Sequence, residues 1–474
     1  MPRYRRLLTG LGVVTAFSSS SVWVPLVPIW DIDVPHIGNV PVSDAPEEEH
    51  VKITSVLAAL SLGAATVVTA VVSAGPAAAD TAGCTASDAD IYKPPATVTG
   101  NPGDILACAP ATLAFVPNLP AVHAWKVQYV TTDAKGNKVA ASGTVAVPDA
   151  AWSKGGSRPT IAYAPFTHGT GASCSLSKQM TTGFQDQYEA PNLSGFLNQG
   201  WALAATDGEG YLDGQTHPYV NGKANGPATL DIVRAARKIP GSGLTADGKV
   251  GIDGYSEGAN TSAWAAQLAA SYAPDLDVVG DASGGIPADL KAAAKQLNGS
   301  FFAGFLADTL IGLKYQYPEM PFDQYLNDAG RQAEKDVKNN CLFGTLAVFA
   351  GQKVENFTTD HLTLDQLYAI KGPDGTTWGQ IADGLNLGVD TGGPNSSAKY
   401  KVGFPMFLYR GWLEEILPHE PMDQLHKTYC QNGIQNQYKI SYPTEHATTM
   451  FGAAGDVLNF FTDRFAGKPF TNGC

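Results

Sequence analysis

The alternation of apolar and polar positions changes character four times along the chain. Residues 80–123 read as an extended lead-in, because Pro94, Pro95, Pro102, Pro110, Pro117 and Pro120 interrupt any helix. A β-hairpin is predicted next: Val127–Thr131 and Val139–Val147 are β-branched runs joined by the polar turn Asp133-Ala134-Lys135-Gly136-Asn137. Beyond it, short apolar runs alternate with segments whose apolar residues recur at three and four. Strands are predicted at Thr160–Ala164, Ala202–Thr206, Val250–Asp253, Leu276–Val279, Pro405–Tyr409 and Tyr438–Ser441, and helices at Thr229–Lys238, Ala259–Tyr272, Met422–Gln431 and Thr448–Phe465. That is the pattern of a mostly parallel sheet flanked by helices on both faces.

Between about 284 and 400 the alternation stops. DLKAAAKQL, FAGFLADTLIGL and GRQAEKDVKNNCLFGTLAVF predict amphipathic helices and no strand that extends the sheet cleanly, so this segment reads as a helical cap inserted into the core. Insertions of this kind commonly cover a buried site and can move. The expected organisation is a leader over 1–79, a first core part over 80–283, the cap over 284–400 and a second core part over 401–474.

The leader holds two apolar stretches. LLTGLGVVTAF follows Arg3, Arg5 and Arg6, and VLAALSLGAATVVTAVVSA leads to Ala77-Ala78-Ala79 before Asp80, which matches a signal-peptide cleavage site after an apolar core. Export with cleavage after Ala79 is expected. The same stretch is about long enough to anchor the chain in a membrane or cell envelope, which is the alternative. A translation start at Val51, with Lys52 as the positive flank, would leave residues 1–50 upstream of the true start.

Charge narrows the partners. The net charge is −13; without residues 1–79, which hold four basic and six acidic residues, it is −11. Phosphate binding needs clustered Lys and Arg, so nucleic acid is not an expected partner. The six cysteines, Cys84, Cys108, Cys174, Cys341, Cys430 and Cys474, include no C-x-x-C pair, and behind an export signal an even count suggests disulfides rather than zinc. Of the fifteen pairings open to six cysteines, the expected set is Cys84–Cys108, Cys174–Cys341 and Cys430–Cys474.

The chemistry centres on Gly254-Tyr255-Ser256-Glu257-Gly258, set between a predicted strand and a predicted helix. A serine on a tight strand-to-helix turn exposes its hydroxyl above the sheet, and the flanking glycines let strand and helix approach. The helix start also presents backbone N–H groups to a developing oxyanion. The N–H of Glu257 is the first expected donor, and the second is expected near His168, in the loop TIAYAPFTHGTGASC. A base must follow the nucleophile in the chain order of this architecture. Of His361, His419, His426 and His446, only His446 lies just past the last predicted strand. For the acid, Glu414 has the best position after strand Pro405–Tyr409, with Glu415 and Asp281 as alternatives.

At these residues the sequence resembles the secretory lipase family, the lipase-A-type α/β-hydrolases of fungi and actinobacteria. The resemblance runs from about Ile91 to the C-terminus through YKPP with GNPGDIL, ATDGEG with HPYVNGKANG, the elbow GYSEGANTSAWAAQLAASYAPDL, and GGIPADL. It implies an α/β-hydrolase fold with Ser256, Glu414 and His446 as the triad, an oxyanion hole at the backbone of His168 and Glu257, and a lid near 284–400. It implies action on acylglycerols and related carboxylic esters, with no metal or organic cofactor. One stretch departs from the family: where its members read His-Gly-x-x-Asp, this chain has Arg410-Gly-x-x-Glu414, a longer acid.

The expected function is therefore that of a secreted lipase or esterase that works through an acyl-enzyme on lipid or small ester substrates, with transient contact with a lipid interface. Acyl transfer to a cell-envelope lipid would use the same intermediate. A degenerate hydrolase kept as a lipid-binding protein is the non-enzymatic alternative, motivated by the Glu414 replacement.

Overall fold

The computed structural model describes residues 83–114, 116–182 and 188–474. The leader, its cleavage site and the Val51 start lie outside the described residues. The described residues all fall within one compact unit, Ser73–Cys474.

Eight elements build the first half of the core around the predicted hairpin: α1 (Asp88–Tyr92), β1 (Ile105–Ala111), β2 (Val122–Thr132), β3 (Lys138–Pro148), β4 (Thr160–Ala164), α2 (Leu176–Thr182), α3 (Ala190–Asn198) and β5 (Ala202–Gly208). Then follow α4 (Gly222–Lys238), β6 (Val250–Tyr255), α5 (Glu257–Tyr272) and β7 (Val278–Gly284). After a further, mainly helical segment come β10 (Met406–Gly411), α12 (His419–Gln431), β11 (Asn436–Tyr442) and α13 (His446–Phe465). One nine-stranded sheet runs β1-β2-β3-β5-β4-β6-β7-β10-β11. β1, β2, β3 and β5 pair antiparallel, and every pair from β5 to β11 is parallel. The central strands β4, β5 and β6 are buried along their whole length, as expected where helices cover both faces. On one face α4, α5 and α12 cover the sheet. On the other, α2, α3 and α13 do, with Phe196, Trp201, Phe461 and Phe465 in mutual aromatic contact.

Three expectations need correcting. The lead-in is not merely extended. Ser87 caps α1 in a reciprocal box with Asp90, and β1 joins the sheet with Pro110 inside it, which an edge strand tolerates. Helix α4 starts seven residues before Thr229, across glycines and Pro227 that hide it. Those small residues serve packing, since a Cβ on Gly222 would lie 2.1 Å from the Trp264 ring of α5. Strand β7 continues to Gly284, well past Val279, because its polar residues pair internally: Ser283 donates to Asp281 at 2.7 Å and lies 2.7 Å from the Ser262 hydroxyl.

Between β7 and β10 the chain forms α6 (Leu290–Leu297), α7 (Ala303–Gln316), α8 (Asp328–Asn339), α9 (Leu342–Phe349), α10 (Leu364–Tyr368) and α11 (Trp378–Gly384). A two-stranded pair separate from the main sheet follows, β8 (Thr391–Gly392) with β9 (Tyr400–Lys401). Disulfides join Cys84 to Cys108, Cys174 to Cys341 and Cys430 to Cys474; the second ties the loop after β4 to this helical segment. Among the described residues no helix is long and apolar enough to cross a membrane.

Candidate active site

Ser256 is the single residue between β6 and α5, at φ 56° and ψ −119°. A non-glycine residue there is strained. The turn is held by Ser256 N–H donating to Gly284 O at 2.8 Å and by Ala259 N–H donating to Ser256 O at 2.9 Å. Both flanking glycines are required by contact. A Cβ on Gly254 would lie 2.1 Å from Gly258 O, and one on Gly258 would lie 2.3 Å from Ala164 O at the end of β4.

The structure brings His446 and Glu414 to this serine from two other parts of the chain. His446 Nε2 lies 2.9 Å from Ser256 Oγ, and His446 Nδ1 lies 2.8 and 2.7 Å from the two Glu414 oxygens. A carboxylate only accepts, so Nδ1 carries the proton and Nε2 offers its lone pair to the serine hydroxyl. Glu414 Oε1 also accepts the N–H groups of Ile416 and Leu417, at 3.1 and 3.0 Å. Burial pushes the His446 imidazole down, but the Glu414 charge and hydrogen bond outweigh it and hold the group above its ordinary 6.5. Burial likewise pushes Glu414 up, and His446 with the two backbone donors brings it below its ordinary value.

The alternative acids are engaged elsewhere. Glu415 accepts the backbone N–H of His446 at 2.9 Å and so sits at the start of α13. Asp281 is buried in β7 and bonded to Ser283. The other downstream histidines have other partners: His361 lies 2.9 Å from Glu355 O, His426 2.6 Å from Asn436, and His419 2.9 Å from the backbone oxygen of Glu414. Arg410, where the family pattern has histidine, turns toward Tyr438 and Asp423, at 2.7 and 3.1 Å.

The two expected oxyanion donors belong to neighbouring segments. Glu257 opens α5, whose first N–H groups have no partner within the helix. The β4 loop lies against the elbow at Gly258, and its His168 side chain is buried 2.7 Å from Glu189, so the imidazole is taken up by that carboxylate. The Glu257 side chain meets His217, 2.6 Å away, a pairing with no signature in the sequence beyond the segment HPYV.

A cavity of about 30 Å³ opens beside Ser256, lined by Tyr219, Val220, Leu297, Phe305, Leu306 and Leu417 among others. A second, about 90 Å³ and almost wholly apolar, lies between α7, α8 and α11, and Leu306 lines both. Among the described residues no cluster of three or more His, Cys, Asp or Glu is arranged to hold a metal ion.

A mostly parallel sheet, a serine on a strained strand-to-helix turn and a histidine after the last strand define an α/β-hydrolase. The chain belongs to the secretory lipase family, whose profile matches residues 176–473. It is similar to lipase 10 of Candida albicans, 28% identical over 81% of this chain and 82% of that protein. It is also similar to a Mycobacterium tuberculosis protein named "Probable inactive lipase MT1628", 29% identical over 81% of this chain and 84% of that one. Among solved structures, Candida antarctica lipase A superposes with a TM-score of 0.69 at 25% identity, over 81% of this chain and 87% of its own.

Proposed function

We propose that this protein is an exported carboxylic ester hydrolase acting on acylglycerols or related lipid esters. In this reading Ser256 Oγ attacks the ester carbonyl while its proton passes to His446 Nε2. Glu414 holds the imidazole and stabilises the imidazolium. The N–H of Glu257 and a backbone donor near His168 receive the oxyanion. Collapse of the tetrahedral intermediate leaves an acyl group on Ser256 and releases the alcohol, protonated by His446. Water, deprotonated by the same imidazole, then releases the fatty acid.

The observation that carries this reading is the unbroken hydrogen-bonded line from Ser256 through His446 to Glu414. Family membership supports lipid esters as the substrate class, and three disulfides suit an oxidising, extracytoplasmic setting. The name of the M. tuberculosis relative motivates a second reading, a lipid-binding protein without turnover. A fluorophosphonate probe separates the two. Labelling of the wild type and not of Ser256→Ala is expected, followed by hydrolysis of long-chain p-nitrophenyl esters. A folded wild type that resists the probe would favour the binding protein.

A further inference from the structure

A second histidine–carboxylate pair includes Glu257, the residue that follows the nucleophile in the chain. His217 and Glu257 are both buried, and His217 Nε2 is 2.6 Å from Glu257 Oε1. The other ring nitrogen, Nδ1, is 2.6 Å from the carbonyl oxygen of Glu209. A carbonyl only accepts, so Nδ1 bears a proton, and a further proton must lie between Nε2 and the Glu257 carboxylate. As a unit the pair therefore carries no net charge. Glu257 Oε2 has no other partner among the described residues. Asp308 of α7 faces the pair, and burial first, with Glu257 second, pushes its carboxyl well above the ordinary carboxylate range, so Asp308 is no cationic partner for Glu257.

His217 also reaches the other side of the oxyanion site. Its backbone N–H donates to Thr170 O at 3.1 Å. Its ring stacks on Tyr211 at 4.4 Å, and the Tyr211 hydroxyl donates to Gly169 O at 2.6 Å. Gly169 and Thr170 directly follow His168, and Glu257 directly follows Ser256. One residue thus touches both segments expected to supply oxyanion donors. His168, His217 and Glu257 line the same small cavity of about 10 Å³.

We propose that His217 is a positioning residue for the oxyanion hole. It braces the β4 loop against the start of α5, and its proton cancels the charge that Glu257 would otherwise place beside a developing negative oxygen. A bare carboxylate there would oppose the very charge the backbone donors stabilise, and low local dielectric would amplify the penalty. The inference rests on the proposed ester hydrolysis, because it assigns a role in the same oxyanion site.

The test compares wild type, His217→Ala, His217→Gln and the double variant His217→Ala/Glu257→Gln, each checked for folding by circular dichroism and thermal melting. With a soluble p-nitrophenyl ester, His217→Ala should lose about 10- to 100-fold in kcat with KM little changed, since the loss falls on transition-state charge. Removing the uncompensated carboxylate in the double variant should regain about fivefold or more, an outcome that loss of packing alone would not produce. His217→Gln, which keeps a donor toward Glu257 without a charge, should fall between His217→Ala and wild type and serves if the alanine variant does not fold. An unchanged kcat in folded His217→Ala, or a folded double variant no faster than the single one, would overturn the proposal while wild-type turnover still stood. Absence of both probe labelling and turnover in the wild type would remove the hydrolase reading itself, and this inference with it.

Discussion

At the residue scale the proposed acid decides most. Glu414 is one methylene longer than the aspartate of the family pattern, yet both its oxygens face His446 and one also takes two backbone N–H groups. The longer side chain is thus folded back and fixed rather than left to wander. Glu414→Gln should lower kcat by about three to four orders of magnitude with KM little changed, as when a triad histidine loses the carboxylate that sets its tautomer. The pH profile carries a second expectation. The base must be neutral, and the Glu414 charge favours its protonated form, so kcat/KM should rise with pH through a midpoint above 6.5. Activity is lost as pH falls through that raised value. In Glu414→Gln the midpoint should move down, measurable in the residual rate; an unmoved midpoint would assign the shift to another carboxylate, Glu415 or Glu445.

Among the elements, α7 matters most for selectivity. Its Phe305 and Leu306 wall the cavity beside Ser256, and Leu306 also lines the larger apolar cavity between α7, α8 and α11. An acyl chain too long for the first space is expected to continue past Leu306. Leu306→Trp should therefore slow hydrolysis of long-chain p-nitrophenyl esters about tenfold relative to short-chain ones. Equal effects on both chain lengths would place the acyl group elsewhere. The elbow illustrates the opposite case, an element legible from local sequence. Its two glycines are needed because backbone, not side chain, occupies the space their Cβ atoms would take, and that requirement is written into five consecutive residues.

Across the whole molecule, the Cys174–Cys341 bridge joins points 167 residues apart and ties the loop after β4 to the helical segment between β7 and β10. Leu342 N–H donating to His168 O at 3.0 Å and Thr170 Oγ1 donating to Val337 O at 3.0 Å reinforce the same junction. Cross-linking so long a loop restricts the unfolded chain strongly. Replacing both cysteines by serine should cost roughly 2–5 kcal/mol of stability and lower turnover, because His168 loses part of its support. A chemical-denaturation midpoint unchanged from wild type would rule this out.

How much of this was open to sequence reading depended on the distance over which each feature is specified. The alternating strands and helices and the strand–serine–helix turn follow from local periodicity, and the position of His446 after the last strand follows from chain order. Helix α4 and the end of β7 were obscured because the α4 glycines are required by Trp264, distant in sequence, and Ser283 is satisfied by Ser262 on α5 as well as by Asp281. Which carboxylate meets His446 is likewise a matter of where the β10 turn points: Glu414 turns inward, and Glu415, one residue on, goes to the start of α13 instead. The pairing of His217 with Glu257, 40 residues apart, left no periodic trace at all. The sequence by itself determined the order of elements and the place of the serine, because backbone geometry and hydrophobic burial act locally. Only the tertiary structure decided which buried charges meet, because that depends on side-chain directions set by packing across the sheet and cap.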